Sequence, residues 1–528
     1  MRRFACDIVF LLFISFLLFS SLAAEDMARG MVFEDANRNL ALDPGEKGVP
    51  GVMVSNQYDV VLTDAQGRYQ LPVEEETVIF ITKPAGYTVP LDANNLSQFY
   101  YIHQLRGSPA MKFEGVKPTA HLPEQINFPL LRKEEPDVFE ALVFGDPQSA
   151  TEEQILFMQD DVLSGLAGSP YAFALALGDE VSDNLNLFDR YIGTMGKLGI
   201  PVYNVPGNHD TNRDFSENRH SLETFKSKFG PSWYSFDRAK AHFVILYDID
   251  WYRETTGGKT KLLYRGKFGD KQLAWLKNDL QYVPQDKLVV LCMHIALYTI
   301  ISKADSDNVV DRGRLFDLLK DREHVLILTG HNHTSEHYFL GEDMGWKGKN
   351  PLHQVICPAM CGSWWGGPRD ERGIPWAIQQ DGTPNGYHIF RFEGNKYSER
   401  FVPASFPLDF QIRISLPTGK IRVQDLPTQK IVANVFDGNE KSKVICRMDQ
   451  EPSFEMSRTV MKDPFFVELY TKNKDLFRSW VSPIDSSHVW TGSMPADLKP
   501  GRHEITVETT DQFGKSYKTS RFFEILKE

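Results

Sequence analysis

The sequence predicts an α/β domain in the middle of the chain and a smaller β domain on either side of it. Between about residues 137 and 395, short apolar runs of buried-strand type alternate with helical segments. Before and after that region, short strand-like segments are separated by turns. The length of 528 residues also favours about three domains, since a domain averages roughly 150 residues.

Composition and charge are those of a globular protein that does not bind nucleic acid. The chain is 42% hydrophobic and 24% charged. Its net charge is −12, and it has no run of lysine and arginine. Because nucleic-acid binding depends on cations that neutralise phosphates, we expect no DNA or RNA partner.

The first 23 residues have the layout of a secretory signal peptide. Arg2 and Arg3 precede an apolar run at 8–19, and the small residues at 21–23 predict cleavage after Ala23. This run is shorter than the roughly 20 apolar residues of a membrane-spanning helix. We therefore expect an exported protein without a transmembrane anchor, located in a periplasm or outside the cell.

Residues 24–131 are predicted to form an N-terminal β-sandwich. The expected strands lie at 51–55, 58–63, 69–71 and 77–82, with turns at 64–67 and 84–86.

A twelve-residue segment in this domain has the spacing of a calcium loop. Oxygen-bearing side chains occupy its positions 1, 3, 5, 9 and 12, namely Asp35, Asn37, Asn39, Asp43 and Glu46. Position 6 is Leu40 instead of the usual glycine, and the flanking segments are predicted strands. A structural calcium site and a solvated acidic turn both remain open.

Residues 137–395 form the predicted α/β domain. Buried strands are expected at 139–144, 173–177, 242–247, 288–293 and 325–328. A capping box at 151–154 predicts a helix that continues through Leu166. A second helix is predicted at 270–283, where leucines recur at helical spacing.

Residues 396–528 are predicted to form a C-terminal β domain. Its expected strands lie at 420–423, 431–436, 465–470, 502–509 and 520–525. Four cysteines follow the predicted cleavage site. Cys292 lies in an apolar run and is expected to be buried, whereas the sequence does not decide whether Cys357 and Cys361 pair.

Residues of metal-binding type follow four of the five predicted strands of the middle domain, and a fifth group follows the apolar run at 200–203. Since ligands of α/β sheets bind at the carboxyl ends of strands, these residues are expected to meet. Gly207 is assigned to a tight turn within one of the loops. The candidate ligands are Asp146, Gln148, Asp179, Asn208, His294, His331 and His333, and His209 and Asp210 adjoin them.

Carboxylate, imidazole and amide groups of this kind suit a pair of divalent metals. Two metals about 3.5–4 Å apart can clamp the attacking and leaving oxygens of a phosphoryl transfer. In an extended segment, residues i and i+2 face the same side, so His331 and His333 can both reach the pair. Water between the two cations then serves as the nucleophile, without a serine or cysteine.

The order Asp-x-Gln, Gly-Asp, Gly-Asn-His-Asp, His, Gly-His-x-His resembles the calcineurin-like metallophosphoesterases. The flanking β domains are similar to those of secreted bacterial members. The resemblance implies a core of two sheets packed as an α/β sandwich. It also implies hydrolysis of phosphoric esters with manganese, iron or zinc.

The resemblance also implies a role for each residue. One metal is held by Asp146, Gln148 and His333, the other by Asn208, His294 and His331, and Asp179 bridges them. His209 stabilises or protonates the leaving group, and Asp210 orients its ring. Most of the family has histidine where this chain has Gln148, so manganese or iron is favoured over zinc.

The aromatic pair Trp364-Trp365 follows the last ligand loop. It either walls the substrate pocket or plugs a domain interface. If the pair walls the pocket, the expected substrate is a phosphodiester or other substituted phosphate of a small molecule, glycan or lipid. A phosphomonoesterase, including one of the protein Ser/Thr type, is the alternative on the same site. A non-catalytic surface binding protein on a degenerate scaffold is the alternative of another class.

Overall fold

The computed structural model describes residues 26–527. The predicted signal peptide at residues 1–23 lies outside the described residues. Between residues 26 and 527, no helix is both long enough and apolar enough to cross a membrane.

The N-terminal domain consists of two β-sheets, as the sequence predicts. One sheet has the order β2-β1-β9-β7, with β5 also paired to β1, and the other has the order β4-β3-β6-β8. The strands are β1 (Asp26–Glu34), β2 (Lys47–Gly48), β3 (Met53–Ser55), β4 (Val60–Leu62), β5 (Arg68–Val73), β6 (Glu76–Ile81), β7 (Tyr87–Thr88), β8 (Tyr100–Gln104) and β9 (Phe128–Arg132).

The middle domain contains the predicted alternation of strands and helices. Its strands are β10 (Val138–Phe144), β11 (Ala174–Ala176), β12 (Val202–Asn204), β13 (Tyr234–Arg238), β14 (Ala241–Ile245), β15 (Ile249–Thr256), β16 (Lys259–Gly266), β17 (Leu288–Cys292), β18 (Val325–Thr329), β19 (Glu336–Leu340), β20 (Leu352–Ile356), β21 (Gly386–Glu393) and β22 (Lys396–Pro403). Its helices are α1 (Glu152–Met158), α2 (Phe188–Met195), α3 (Glu223–Phe229), α4 (Asp270–Leu280) and α5 (Arg312–Leu319).

Two mixed sheets form the α/β sandwich of this domain. Their orders are β12-β11-β10-β21-β22 and β13-β14-β17-β18-β20-β19. Phe139 and Phe173 of the first sheet pack against Phe243 of the second, with ring centroids 6.4 and 5.1 Å apart. The pairs β10–β11, β11–β12 and β17–β18 are parallel, so the loops that carry the candidate ligands leave the sandwich at the carboxyl ends of parallel strands.

The first sheet continues past the predicted boundary at residue 395. Strand β22 pairs antiparallel with β21 along its whole length. The first pair is Gly386 with Pro403, and the last is Glu393 with Lys396. The boundary between residues 395 and 396 therefore falls inside a β-hairpin, and the sheet ends at Pro403.

The C-terminal domain also consists of two sheets, of orders β23-β25-β29-β28 and β24-β31-β30-β26-β27. The strands are β23 (Ile412–Leu416), β24 (Lys420–Arg422), β25 (Lys430–Val435), β26 (Lys443–Met448), β27 (Phe454–Glu455), β28 (Ser457–Lys462), β29 (Asp485–Ser493), β30 (Gly501–Thr510) and β31 (Ser516–Leu526).

One predicted strand of this domain is wrong, because residues 465–470 lie in helix α6 (Pro464–Lys472). The Asp463 side chain caps this helix by accepting a hydrogen bond from the backbone N–H of Phe465 at 3.0 Å. Pro464 occupies the first turn, where a missing N–H has no cost. The Asp-Pro pair is the sequence signal for this helix, and it outweighs the strand-like composition of the residues that follow.

Candidate metal centre

The predicted metal ligands meet where the strands of the two sheets end. The loops after β10, β11 and β12 bring their residues from one sheet, and the loops after β17 and β18 bring theirs from the other. Six of the seven side chains are buried and His331 is half-buried. The seven are Asp146, Gln148, Asp179, Asn208, His294, His331 and His333.

Most of these ligands have a strained backbone. The φ angles are 36° at Asp146, 34° at Gln148, 54° at Asp179, 74° at His331 and 53° at His333. L-residues rarely adopt positive φ, and such strain gathers at functional sites. The fold therefore holds these five residues in conformations that a simple loop would avoid.

Gly207 is needed for a close approach and not for a left-handed turn. Its φ is −99°, which other residues adopt. However, a Cβ atom at this position would lie 2.2 Å from both the backbone N and Oδ1 of Asp179. The glycine lets the loop approach Asp179 closely enough for its Oδ1 to accept a hydrogen bond from the His209 N–H at 2.8 Å.

Four donor groups surround the first candidate metal position. His294 Nε2 lies 3.3 Å from Asp179 Oδ2, 3.2 Å from Asn208 Oδ1 and 3.1 Å from His331 Nδ1. The other nitrogen of His294 points to the Leu177 carbonyl at 2.8 Å, which orients the ring. Imidazole, carboxylate and amide groups converging in this way fit a divalent transition metal.

The second candidate position shares Asp179 with the first. Gln148 Nε2 lies 3.2 Å from Asp179 Oδ2, and His333 Nε2 lies 3.8 Å from Asp146 Oδ1. His333 Nδ1 contacts the Gly362 carbonyl at 2.5 Å, so its Nε2 is the nitrogen available to a metal. Asp146, Asp179 and His333 would hold a second divalent cation here, and Gln148 would bind it through its amide oxygen.

The ionisable groups of the centre are buried close together, and this shifts their pKa values. Burial raises the pKa of Asp146 to about 7 and lowers the pKa of His333 to about 3. Burial also opposes ionisation of Asp179, but His294 and His209 outweigh it and hold the pKa of this carboxyl well below its usual value. A neutral imidazole and an ionised carboxylate are the forms that bind metals, and His333 and Asp179 have these forms at neutral pH. Burial tends to lower the pKa of His294, but Asp179 and Asp146 outweigh it and raise that pKa to about 10, so this imidazole would release a proton when a metal binds.

Asp183, and not the predicted Asp210, orients the ring of His209. His209 Nδ1 lies 2.8 Å from Asp183 Oδ1, and Arg213 also contacts that oxygen. His209 Nε2 lies 4.0 Å from Asp179 Oδ2, on the side of the ligands. Burial tends to lower the pKa of His209, but the carboxylates of Asp179 and Asp183 raise it above its ordinary value.

Asp210 instead braces its own loop. Its carboxylate accepts hydrogen bonds from the backbone N–H of Gly207 at 2.8 Å and of Val181 at 3.3 Å. It also faces Glu180, whose pKa is raised well above its ordinary value by burial and by Asp210. Asp210 thereby joins the loop after β12 to the loop after β11.

A cavity of about 440 Å³ opens above the ligands. Trp364 lines it and stacks on His333, with ring centroids 3.9 Å apart and 18° between the planes. Trp365 does not take the predicted place in the lining, because it is 5% exposed and packs against Phe157 at 6.0 Å. The pocket-wall reading thus applies to Trp364, whereas Trp365 packs inside the core of the middle domain and not at a domain interface.

Several lining residues were not predicted from the sequence, and three of them show why. Tyr264 lies beside His331 with ring centroids 6.0 Å apart, and Asp307 Oδ1 lies 3.5 Å from His331 Nε2. Ile484 comes from the C-terminal domain. None of the three belongs to a predicted ligand motif, so only the folded structure identifies them as lining residues.

The candidate calcium ligands share one loop between β1 and β2. Asn37 and Asn39 each donate a hydrogen bond from Nδ2 to Asp43 Oδ2 at 2.7 Å. Leu40, where a calcium loop has glycine, adopts the left-handed φ of 66° that glycine would take. The five residues named by the spacing are Asp35, Asn37, Asn39, Asp43 and Glu46, and calcium binding by them stays a prediction.

A second group of histidines and one aspartate joins the middle and C-terminal domains. His337 Nε2 and His388 Nε2 lie 2.7 and 2.8 Å from the same oxygen, Oδ1 of Asp437. These are hydrogen-bond distances. They are shorter than the separations of 3.1–3.3 Å around His294. We therefore interpret this group as a hydrogen-bonded junction.

All four cysteines of the described chain, residues 26–527, are buried free thiols. Cys361 Sγ lies 3.8 Å from Gln148 Oε1 and 3.7 Å from His333 Nδ1, next to the second metal position. Cys357 and Cys361 are therefore not joined to each other in this structure.

The candidate site thus places two neighbouring metal positions at the shared edge of a two-sheet α/β sandwich. The chain belongs to the calcineurin-like phosphoesterases. The model of the calcineurin-like phosphoesterase domain matches residues 140–335. Models of the N-terminal and C-terminal parts of these enzymes match residues 38–118 and 355–517.

Two curated proteins are similar to parts of the chain. The uncharacterized protein YvnB of Bacillus subtilis (strain 168) is 22% identical over 280 residues, which are 50% of this chain and 20% of YvnB. The probable glycerophosphodiester phosphodiesterase GpdQ of Arcobacter nitrofigilis is 27% identical over 165 residues, which are 31% of this chain and 56% of that protein. The chain thus spans about a fifth and about half of the two relatives.

Two solved structures also match. A dimetal phosphatase from Danio rerio is 14% identical, with a TM-score of 0.34, and the match covers 50% of this chain and 97% of that one. A purple acid phosphatase from yellow lupin is 11% identical, with a TM-score of 0.30, and the match covers 90% of this chain and 69% of that one.

Proposed function

We propose that this protein is an exported hydrolase of phosphodiesters or of similarly substituted phosphates. The observation that carries the proposal is that the cavity has a wall on each side of the metal centre. Trp364 packs against the ligand His333, and Tyr264 lies beside the ligand His331. A diester has two organic groups on phosphorus and a monoester has one, so two walls support a diester.

Two divalent cations, when bound, supply an activated water molecule and neutralise charge on the phosphate. A side chain of the protein supplies the proton that the leaving group needs. His209 has its Nδ1 occupied by Asp183 at 2.8 Å, which leaves Nε2 on the side of the cavity to protonate the departing oxygen. Gln148 provides an amide in place of an imidazole, and this favours manganese or iron at the second position.

The similarity to a probable glycerophosphodiester phosphodiesterase supports a diester for this chain as well. The expected substrates are phosphorylated small molecules, glycans or lipids. Export is inferred from the amino-terminal sequence alone, and intact mass of the secreted protein tests it: a mature chain that begins at Ala24 is expected.

The test of the activity is a comparison of diester and monoester hydrolysis by the purified protein. Bis-p-nitrophenyl phosphate and p-nitrophenyl phosphate are assayed after loading with manganese, iron or zinc, with Asp179→Asn as the inactive control. We expect faster hydrolysis of the diester, abolished in the control. Faster hydrolysis of the monoester would favour the phosphatase alternative. A folded protein that cleaves neither substrate with any metal would favour the non-catalytic binding protein.

A further inference from the structure

The C-terminal domain contributes to the catalytic cavity through one short segment, residues 476–484, which we call the C-terminal wall. Ile484 lines the cavity together with Gln380 of the middle domain. The Gln380 carbonyl accepts a hydrogen bond from the Ile484 N–H, and its Oε1 accepts one from the Ser482 N–H, both at 3.2 Å. The wall is therefore fastened to the middle domain beside the cavity.

A small apolar core supports the C-terminal wall. Phe477 and Val481 of the wall are 8% and 1% exposed, and they pack with Ile378 and with Phe466 of α6. At the start of the wall, the Leu476 carbonyl accepts a hydrogen bond from the Gly367 N–H at 3.0 Å. Both ends and the middle of the wall are therefore attached to the rest of the protein.

Trp480 is the most exposed large apolar side chain of the C-terminal wall. It is 60% exposed, and its ring lies 6.0 Å from the ring of Trp364 at an angle of 83°. Trp364 in turn stacks on the ligand His333. Two indoles at right angles, one exposed and one in the cavity lining, form an aromatic corner next to the metal centre. The pair offers an aromatic surface beside the cavity against which a substituent of the substrate can pack.

Apart from Tyr264, Ile301 and Ile484, the rest of the cavity lining is polar, and within residues 26–527 no lysine or arginine lines it. Its polar residues beyond the candidate ligands and His209 are Ser302, Asp307, Asn332, Thr334 and Gln380. Hydroxyl, amide and carboxylate groups of this kind accept hydrogen bonds from hydroxyl groups. The C–H face of a sugar or cyclitol ring is weakly positive and is attracted to the negative face of an indole. The lining therefore matches a ring with hydroxyl groups better than an acyl chain.

We propose that the aromatic corner of Trp364 and Trp480 recognises a polyhydroxylated ring on the substrate phosphate, so that the substrate is a sugar or cyclitol phosphodiester. This inference rests on the proposed phosphodiesterase activity. It makes Trp480 a specificity-determining residue that lies in a different domain from all of the metal ligands.

The test uses four diesters that share the p-nitrophenolate leaving group. The second substituent is glucosyl, inositol, thymidine 5′-yl or methyl, and kcat and KM are measured for the full-length enzyme and its variants. We expect the lowest KM for the glucosyl or inositol diester. Trp480→Ala should raise that KM by roughly fivefold to tenfold, the size of one aromatic contact, and leave kcat and the methyl ester unchanged.

A matched control is Trp376→Ala, which removes another exposed tryptophan, 43% exposed, that lines a different pocket. This variant should leave every KM unchanged. Trp480→Phe keeps a ring and should recover most of the affinity, which separates recognition from a folding defect.

Three results are distinguishable from the expected one. If the enzyme cleaves none of the four diesters, not even the methyl ester, the proposed function is overturned. Cleavage of all four with KM values that do not depend on Trp480 would overturn this inference alone. A Trp480-dependent preference for the thymidine ester would overturn the assignment to a sugar or cyclitol.

Discussion

Asp210 follows His209 directly in the sequence, but it is Asp183, from another loop, that contacts the His209 ring. Asp183 contacts His209 Nδ1 at 2.8 Å, whereas Asp210 binds backbone N–H groups of two loops. Adjacency in sequence suggested Asp210, but the short helical turn at 208–210 directs that carboxylate inward. Asp183 comes from the neighbouring loop, which also carries Asp179.

This difference predicts different results for the two aspartates. Asp183→Asn should lower kcat by roughly 10²-fold for diesters with alkyl leaving groups, because these need a proton from His209. The loss should be much smaller for p-nitrophenolate, which departs without a proton. Asp210→Asn should instead lower the melting temperature. A loss in Asp210→Asn that depends on the leaving group, together with none in Asp183→Asn, would assign the orienting role to Asp210.

A second prediction at this scale concerns metal choice at Gln148. Gln148→His replaces an amide beside Asp179 by an imidazole, which suits zinc better. After apoprotein is equilibrated with equal concentrations of manganese and zinc, we expect the zinc to manganese ratio to rise by roughly an order of magnitude. Mass spectrometry of the bound metals measures it. Asn332→His, which adds a histidine to the cavity lining, is the control. An unchanged ratio in Gln148→His would remove Gln148 from the ligand set.

At the scale of single elements, a buried histidine joins the second sheet to helix α4. His242 of β14 lies between Asp237 at 2.7 Å and Asp279 of α4 at 2.8 Å. Burial alone would lower the pKa of His242, but Asp279 and Asp237 outweigh it and raise that pKa to about 9. The helix is thus held to the sheet by an ion pair that needs a protonated imidazole.

This ion pair predicts a loss of stability at high pH. The ordinary pKa of histidine is about 6.5, so the contribution is fully present below pH 6.5 and disappears as the pH rises through about 9. Its full size is about 3 kcal/mol. The difference in melting temperature between the wild type and His242→Gln should therefore shrink from pH 6 to pH 10. A difference that stays constant over this range would mean that His242 is neutral in the folded protein.

Helix α6 shows how local signals compete at the element scale. Residues 465–470 have the aromatic and β-branched composition of a strand, but the preceding Asp463 caps a helix and Pro464 opens it. The helix has a role in the site, since Phe466 supports the C-terminal wall. The strands of the middle domain were predictable because they are buried on both faces and so appear as continuous apolar runs.

At the scale of the whole molecule, the middle and C-terminal domains meet at Asp437 as well as at the cavity. One carboxylate oxygen of Asp437 accepts hydrogen bonds from both His337 and His388. The imidazoles hold the pKa of Asp437 well below its usual value, although burial acts in the opposite direction. Removal of this charge should loosen the attachment of the domain that carries Trp480.

The prediction for this junction separates a hydrogen-bonded network from a metal site. Asp437→Asn should lower the free energy of unfolding by about 3 kcal/mol, because hydrogen bonds to a buried charge are lost. The metal content should stay at about two ions per chain, the number expected for the candidate metal centre. Asp497→Asn, an exposed acid in the same domain, is the control. A metal content that falls by one ion in Asp437→Asn would show that this group binds a metal.

The sequence by itself determined the class of fold, the order of the ligands and the chemistry they suit. Buried strands have a local signature, and ligand residues placed directly after them meet at one edge whatever the rest of the chain does. Only the tertiary structure decided that Asp183 orients His209, that Trp365 is buried, and that the C-terminal domain forms part of the cavity. These features depend on contacts between residues far apart in the chain, such as Trp364 with Trp480 and His337 with Asp437. Such contacts arise from domain packing, which leaves no local pattern in the sequence.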